Sequence, residues 1–378
     1  MLLLLVICGG TLPVCLAGCK DSIAYPFRRI YTDAGTGGTG DLDAGPDAAP
    51  PVSCSTALVG YATLDGGTNG GGDGPTYTAG TLAQLRTYAG MVGPAIIRIN
   101  GTIVFPMDAG TPAQPVEVES DKTLIPVHVG DGLVYNGLRV KDAHNVIVRN
   151  VTIAKPLNGF DGITIQAASN VWVDHCDISS DLTSPKDTYD GLVDIVHGSH
   201  NVTVSWNHFH DHYGHGVSLV GHTDTPNPAT DGDEDLALTV TFHHNLYSHV
   251  VEGAPRARFG HVHLFNNWYD TVTMPADPTA TSYAIASTDG ATLLIERNVF
   301  ETVAVPIVTI LSDTSVTSGT VNNVNAVNLY GAGSSASGNN VTTSFNNWSP
   351  PYPYANWIDP SDAVKDRVGT CAGPGNVP

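Results

Sequence analysis

Basic side chains are scarce in this chain. Its 378 residues contain 16 Lys and Arg against 36 Asp and Glu, so the formal net charge is −20. Nucleic acid and anionic membrane surfaces are poor partners for such a chain because they repel it, whereas a divalent cation is readily accommodated. The 41 Gly and 25 Pro predict a turn-rich β protein, large enough for a substantial core.

Helical periodicity is also lacking. Between Asn145 and Phe300 no long window repeats apolar residues at spacings of three and four, which argues against a helical solenoid. The same stretch instead repeats a short pattern, apolar-x-apolar-x-x-Asn-x-large apolar. Its full copies are Val202-Val204-Asn207-Phe209, Val240-Phe242-Asn245-Tyr247, Val262-Leu264-Asn267-Tyr269 and Leu293-Ile295-Asn298-Phe300. Two earlier copies, Val146-Val148-Ile153 and Val171-Val173-Ile178, carry Val151 and Cys176 at the Asn position.

The spacing of these copies predicts the fold. From Val146 to Leu293 the copies begin 25, 31, 38, 22 and 31 residues apart. Alternation with period two places the apolar side chains on one face of a short strand, and the repetition stacks similar strands on one another. We therefore predict an all-β parallel solenoid with loops of variable length. The recurring Asn is interpreted as an internal ladder at a bend, because a buried amide can bond its neighbours above and below.

The N-terminal segment has a different character. Residues 1–17 are apolar and lead into Leu16-Ala17-Gly18-Cys19, which resembles a bacterial lipobox and predicts a signal peptide over residues 1–19, with lipid on Cys19. Residues 20–53 are a linker whose part from residue 31 onward has almost no large apolar side chains. The folded domain is assigned to residues 54–378. We expect a secreted or cell-surface lipoprotein, bound to a membrane only through its lipid.

Cysteine and histidine leave two questions open. Cys54 and Cys371 flank the domain, and the sequence is equally compatible with a bridge between its ends and with two free thiols. All fifteen His lie between His128 and His263, yet no CxxC or HExxH motif accompanies them. Zinc is therefore disfavoured. Several of these His are expected to stack between coils or to face a substrate groove.

Longer segments resemble the pectate lyase and pectin lyase superfamily in order and spacing, over roughly residues 57 to 300. They are Asp161–His175, Tyr189–Trp206, Val240–Asn245 and Pro255–Gly260, preceded by Gly60-Tyr-Ala, Gly66–Gly74, Thr81–Leu85 and Ile97–Ile103. The set is far more specific than any single motif. The resemblance implies a right-handed, single-stranded parallel β-helix that cleaves acidic plant polysaccharide by β-elimination.

The resemblance also implies a Ca²⁺ site. Asp161 lies thirteen residues before Asp174 and matches a ligand position, Asp190 occupies a position that is often Glu, and Asp194 matches directly. Calcium prefers several hard oxygen ligands, which clustered carboxylates supply. The even spacing of Asp190 and Asp194 predicts one side of an extended strand. A further family acid is replaced by Gly159.

Two other departures concern catalysis. The family's proton-abstracting Arg corresponds to Gly253, and its substrate-binding Lys is absent after the His-x-His segment. Arg256 and His215 are the candidates for a relocated base, and Arg258 matches a substrate-contacting position. Gly253→Arg is expected to raise turnover if the backbone there accepts a side chain.

From these residues we expect a monomeric polysaccharide lyase that acts on pectate or a related acidic polysaccharide. The alternative is a catalytically weakened surface protein that binds acidic glycans through the same groove. A purely structural β-helix is disfavoured because Asp190, Asp194 and Arg258 occur together.

Overall fold

The computed structural model describes residues 54–157, 159–214, 216–223, 237–273, 282–309, 319–322, 328–341 and 348–377. The chain divides into two compact units, Met1–Pro50 and Pro51–Pro378, and all described residues lie in the second. The predicted signal peptide, Cys19 and the linker fall outside the described residues and stay predictions.

Three parallel sheets build the described domain. The first sheet contains β1 Thr76–Ala79, β2 Ala95–Ile99, β7 Lys122–Pro126, β10 His144–Arg149, β13 Ser169–Asp174, β16 His200–Ser205, β19 Thr239–His243, β22 His261–Phe265, β25 Thr292–Glu296 and β28 Thr320–Asn322. The second contains β3 Thr102–Val104, β8 Gly132–Val134, β11 Thr152–Ala154, β14 Asp177–Ser179, β17 His208–His212, β20 Leu246–Val250, β23 Trp268–Val272, β26 Val299–Val303 and β29 Leu329–Tyr330. The third contains β6 Val116–Glu117, β9 Leu138–Lys141, β12 Ile163–Gln166, β15 Val193–Val196, β18 Leu219–Val220, β21 Arg256–Arg258, β24 Ile285–Thr288 and β27 Ile307–Val308.

The remaining elements are short. β4 Met107–Asp108 and β5 Thr111–Pro112 pair antiparallel, and the described residues contain two α-helices, α1 Leu82–Ala89 and α2 Val364–Cys371. Single 3₁₀ turns span Tyr61–Thr63, Ala336–Gly338 and Ser361–Ala363. In the part of the chain that the structure describes, no helix has the length and apolar character needed to span a membrane.

Strand register confirms the predicted parallel β-helix. Within each coil the chain passes through the first, second and third sheets in turn. Each strand pairs with its counterpart in the next coil. The first apolar position of every repeat copy lies beside the same position of the next copy. The pairing runs Val146, Val171, Val202, Val240, Val262 and Leu293. All six side chains are fully buried, so period-two alternation fills the interior of the coil.

The Asn ladder is also confirmed. Each Asn side chain donates to the Oδ1 of the next, at 3.0 Å from Asn207 to Asn245, 3.0 Å from Asn245 to Asn267 and 2.9 Å from Asn267 to Asn298. The ladder extends past the predicted copies because the Asn298 N–H donates to Asn328 Oδ1. At its other end the Cys176 N–H donates to Asn207 Oδ1, which leaves the buried Cys176 outside the ladder.

The large apolar position of the repeat forms an aromatic stack inside the coil. The rings follow one another at centroid distances of 5.2, 4.8, 4.8 and 5.6 Å, in the order Phe209, Tyr247, Tyr269, Phe300 and Tyr330. Offset stacking of this kind adds to the free energy gained by burying the rings. The core and the ladder together hold consecutive coils in one register.

One helix closes the N-terminal end of the coil stack, and the other packs against β23 and β26 of the second sheet through Val364 and Val368. Helix α1 follows β1, buries Leu85 and Ala89, and is capped by Thr81, whose hydroxyl accepts the Gln84 N–H. Helix α2 ends at Cys371, which forms a disulfide with Cys54. The Cα atoms of the pair are 5.3 Å apart, so the structure has a bridge where the sequence left two alternatives open.

Candidate active site

Carboxylates gather on the outer face of the third sheet. Thr164 of β12 pairs with Asp194 of β15 across the sheet, and Asp161 lies two residues before β12. The Thr164 hydroxyl donates to Asp161 Oδ2 at 2.7 Å, and the Leu219 N–H donates to Asp194 Oδ1 at 3.0 Å. A Cβ added to Gly191 would meet Asp194 Oδ1 at 2.5 Å and Asp161 Oδ1 at 3.1 Å. These two carboxylates therefore converge on one small space beside a glycine.

Asp190 reaches this cluster by a different route from the one predicted. It precedes β15 in a loop and does not share an extended strand with Asp194. The loop is held because the Asp190 N–H donates to the Pro156 carbonyl at 2.9 Å. Asp190 Oδ2 accepts the Gly159 N–H at 2.6 Å, so the residue that replaces a family acid contributes a backbone donor. The spacing argument for Asp190 was wrong, because the strand begins only at Val193.

Electrostatics shows how closely the three carboxylates interact. Burial raises the pKa of Asp161 to about 7, against the hydrogen bond from Thr164, and the charge of Asp190 adds to the rise. Burial and the charges of Asp161 and Asp190 raise the pKa of Asp194 well above its usual range, against the Leu219 N–H and Arg258. Neighbouring negative charges destabilise one another unless a cation or a proton neutralises them.

The donor set fits a hard cation. Three carboxylates supply only oxygen ligands, and their mutual repulsion would be relieved by a bound calcium ion. The three carboxylates do not form a preformed cation site. Among the described residues, their oxygen atoms do not all lie within 4.8 Å of one another. One reason is that Asp190 Oδ2 bonds the Gly159 backbone. A site of this kind is completed by further oxygen ligands.

Two arginines lie on the same face of the third sheet. Arg256 of β21 pairs with Leu219 of β18, whose N–H bonds Asp194. Arg258, two residues further along β21, is buried and donates from Nη1 to the Gly221 carbonyl at 2.9 Å. Its charge also acts to lower the pKa of Asp194. The structure thus brings Arg256, Arg258 and the three carboxylates to one surface, while their roles in binding and catalysis stay predictions.

Gly253 borders this surface in a conformation that favours glycine. Its φ is +61°, and an added Cβ would lie 3.0 Å from Gly216 Cα and 3.5 Å from Arg256 Cβ. Gly253→Arg was expected to raise turnover only if the backbone there accepts a side chain. That condition is not met, because L side chains rarely adopt this backbone geometry. His215, the second candidate base, lies outside the described residues.

Sequence reasoning missed Glu252 and Tyr283. They form a parallel bridge between adjacent coils, and the charges of Glu252, Arg256 and Arg258 all act on the buried Tyr283 hydroxyl. Burial raises the pKa of Tyr283, so this group stays a neutral phenol beside the arginines. Neither residue belongs to a repeat copy or a quoted motif. The only sequence feature that pointed to either of them was the position of Glu252 next to Gly253.

The histidines lie in several places. His212 is buried in register with the core residue Val250 and bonds the Ser180 hydroxyl at 2.6 Å. His208 and His210 stack at 4.4 Å on the outer face of the second sheet, and His197 stacks on His222 at 3.8 Å just beyond β15 and β18. On the first sheet, Trp206 stacks on His175 and on His244, which also bonds Asp359. Stacking between coils is confirmed there.

Comparison with known proteins agrees with this geometry. A family model described as pectate lyase matches residues 48–377. The chain belongs to the pectate lyase family. Pectate lyase plyB of Emericella nidulans is 39% identical over 234 residues, which are 61% of this chain and 67% of that protein. A probable pectate lyase A of Aspergillus niger is 39% identical over 281 residues, 72% of this chain and 80% of the relative.

Solved structures of pectate lyases share the coil architecture. Bsp165PelA from Bacillus sp. N165, solved with trigalacturonate, superposes with a TM-score of 0.70 at 27% identity and covers 85% of this chain and 100% of its own. Pectate lyase II of Xanthomonas campestris has a TM-score of 0.62 at 26% identity, covering 85% and 99%. The predicted family and fold are both confirmed.

Gly253→Arg is predicted to destabilise this pectate lyase family member without raising its turnover. A non-glycine residue in the left-handed region costs about 1–3 kcal/mol, and the new Cβ also presses on the Gly216 backbone. Urea unfolding compares the variant with Gly253→Ala, which carries the backbone strain without the long side chain. An Arg variant as stable as wild type and faster on polygalacturonate would contradict the geometry.

Proposed function

We propose that this pectate lyase family member cleaves polygalacturonate, or a related acidic polysaccharide, by calcium-assisted β-elimination. The observation that carries the proposal is the outer face of the third sheet, where Asp161, Asp190 and Asp194 lie beside Arg256 and Arg258. Such a face can hold an anionic sugar through a cation at one end and guanidinium groups at the other.

The chemistry begins at C5 of a galacturonate unit. Removing this proton is difficult because the adjacent carboxylate is already negative, so the site has to neutralise that carboxylate and the enolate that develops from it. Asp161, Asp190 and Asp194 are the residues that would hold calcium, and the bound ion would supply neutralising charge to the uronate. Elimination then forms the C4–C5 double bond as the glycosidic oxygen departs from C4.

The arginines have separate proposed roles. Arg258 is fixed by the Gly221 carbonyl, which orients its guanidinium for two-point binding of a uronate carboxylate. Arg256 approaches the position where the family has its proton-abstracting Arg, and is the proposed base within the described residues. His215 is the alternative base. Because Gly253 provides no side chain, we expect slow turnover with better preserved glycan binding.

The test is incubation of the purified protein with polygalacturonate, with and without calcium. Ultraviolet absorbance reports the unsaturated product, and a calcium-dependent rise supports the lyase. Affinity for oligogalacturonate without any absorbance change would favour the rival function, a surface protein that binds acidic glycans. The observation that favours this second function is the replacement of the family's proton-abstracting Arg by Gly253.

We also propose that the protein is exported as a monomeric lipoprotein with lipid on Cys19. The lipobox-like Leu16-Ala17-Gly18-Cys19 and the linker that follows support this location, and a single domain bearing its own site requires no partner copy. Cys19→Ala expressed in a bacterial host is expected to leave the membrane fraction. Identical fractionation of the variant and wild type would contradict a lipid anchor.

A further inference from the structure

A second group of ligand-type side chains lies on the outer face of the second sheet. Asp177 belongs to β14, and His208 and His210 belong to β17 in the next coil. The strands pair Asp177 with His208 and Ser179 with His210, so the three side chains share the face opposite the buried Ile178 and Phe209. One donor atom from each residue lies within 4.8 Å of the other two, which makes this the one group of its kind in the described chain.

The distances in this group fit a small transition-metal ion. His210 Nε2 lies 3.2 Å from Asp177 Oδ1, and His208 Nδ1 lies 3.6 Å from Asp177 Oδ2. Zinc bonds nitrogen and carboxylate oxygen at about 2.0–2.2 Å, so two ligands of a tetrahedral ion lie about 3.3–3.6 Å apart. The two His–Asp separations, each to a different oxygen of Asp177, are close to this value.

Each imidazole is also oriented by a second partner. His210 Nδ1 contacts Asp211 Oδ2 at 2.9 Å, and His208 Nε2 contacts the Ser248 hydroxyl of β20 at 2.8 Å. Both rings thus direct one nitrogen to the Asp177 side and use the other nitrogen for an outer hydrogen bond. This division fixes the tautomer of a metal-binding His and raises its basicity as a ligand.

Two other interpretations of the group make different predictions. Ser248, His208 and Asp177 lie in the order of a hydrolytic triad, but the 3.6 Å separation of His208 and Asp177 is too long for a hydrogen bond. A plain network of ion pairs would hold His208 and His210 as charged imidazolium groups beside Asp177. A metal ligand is a neutral imidazole, so saturable metal uptake separates a metal site from that network.

We propose that Asp177, His208 and His210 form a binding site for zinc or a similar divalent transition metal. Two imidazoles and one carboxylate are a ligand set suited to such ions, and three protein ligands leave a fourth position for water. The three side chains are 26%, 28% and 23% exposed, so an ion can enter from solvent. The site lies on a different sheet from the carboxylates of the proposed lyase. A bound ion would clamp the coil of β14 to the coil of β17.

The experiment is calorimetric titration of ZnCl₂ into the metal-free full-length protein, purified without a polyhistidine tag and measured without polysaccharide. We expect saturable uptake at a single site, because the donor atoms need little rearrangement. His208→Ala, His210→Ala and the isosteric Asp177→Asn should each weaken the affinity by about 100-fold or more, and Ser248→Ala by about 10-fold. A large excess of calcium should not displace zinc, since calcium prefers oxygen ligands.

The matched control is His128→Ala. His128 Nδ1 and Asp131 Oδ2 form a surface pair at the same 3.2 Å distance, so the control removes a His beside an Asp elsewhere on the protein. Cobalt(II) gives an independent readout through its tetrahedral visible bands, which should vanish in Asp177→Asn and persist in His128→Ala. Absence of zinc uptake, or uptake that is equal in wild type, His208→Ala and His210→Ala, would overturn the proposal.

Discussion

Asp194→Asn is expected to lower the rate on polygalacturonate by about 10²–10³-fold, because one preorganised charge at a reacting site contributes about this much. Asp194 is the carboxylate most firmly built into the scaffold: it lies within β15 and its Oδ1 accepts the Leu219 N–H. Asn keeps the size of the side chain and an oxygen acceptor but removes the charge. Calcium uptake in the presence of oligogalacturonate should weaken together with the rate.

The control for this change is Asp142→Asn. Asp142 is exposed and has a φ of +52°, a region that Asn also tolerates well, so the same chemical change is made without touching the carboxylate cluster. Its rate and its calcium uptake should match those of wild type. If Asp194→Asn retained the wild-type rate, the carboxylate cluster would not be the reactive site.

Arg256→Ala is expected to lower kcat by about 10²–10⁴-fold, because a positioned base contributes this much to proton transfer. The register of β21 with β18 puts Arg256 on the face that carries Asp194, and the Arg256 Cβ lies next to the Gly253 position. KM should change less than kcat, since Arg258 still binds the uronate. The measurement is the steady-state rate of unsaturated product over a range of polygalacturonate concentrations.

Two further variants separate the candidate bases. Arg98→Ala removes an exposed arginine from β2 of the first sheet and should leave kcat unchanged. His215→Ala should abolish the residual rate if His215 is the base, and Arg256→Ala would then have a modest effect. A wild-type rate typical of ordinary pectate lyases, unaffected by either alanine change, would contradict the account of a displaced base.

The coil interior was predictable because its signal is local and repeated. Val146 and Val171 lie 25 residues apart in the sequence and side by side in the first sheet, and the same holds for the later copies. The Asn ladder followed from the same pattern. Asn328 was missed because it lies beyond the last copy with a full set of apolar positions.

The site was predicted only in part because loops bring its members together. Asp161 and Asp194 were assigned from their match to ligand positions of the family, whereas the place of Asp190 depends on the backbone bond of its own N–H to Pro156. The strain at Gly253 depends on Gly216 in the neighbouring coil, which no spacing rule reveals.

The zinc ligands were missed for a related reason. All fifteen His were judged only by the CxxC and HExxH motifs, which are absent, and His208 and His210 are among them. Their third partner, Asp177, precedes His208 by 31 residues and becomes its neighbour only through the register of β14 and β17. In a solenoid, part of a ligand set can come from the neighbouring coil, and the spacing within one segment does not reveal that part.

The most direct test of the central claim is the absorbance of unsaturated uronate during incubation of the wild-type protein with polygalacturonate. The account predicts a slow rise that requires calcium, is abolished by a chelator and returns when calcium is restored. No rise at any calcium concentration, for a folded protein that still takes up calcium, would contradict the assignment of this face as a lyase site.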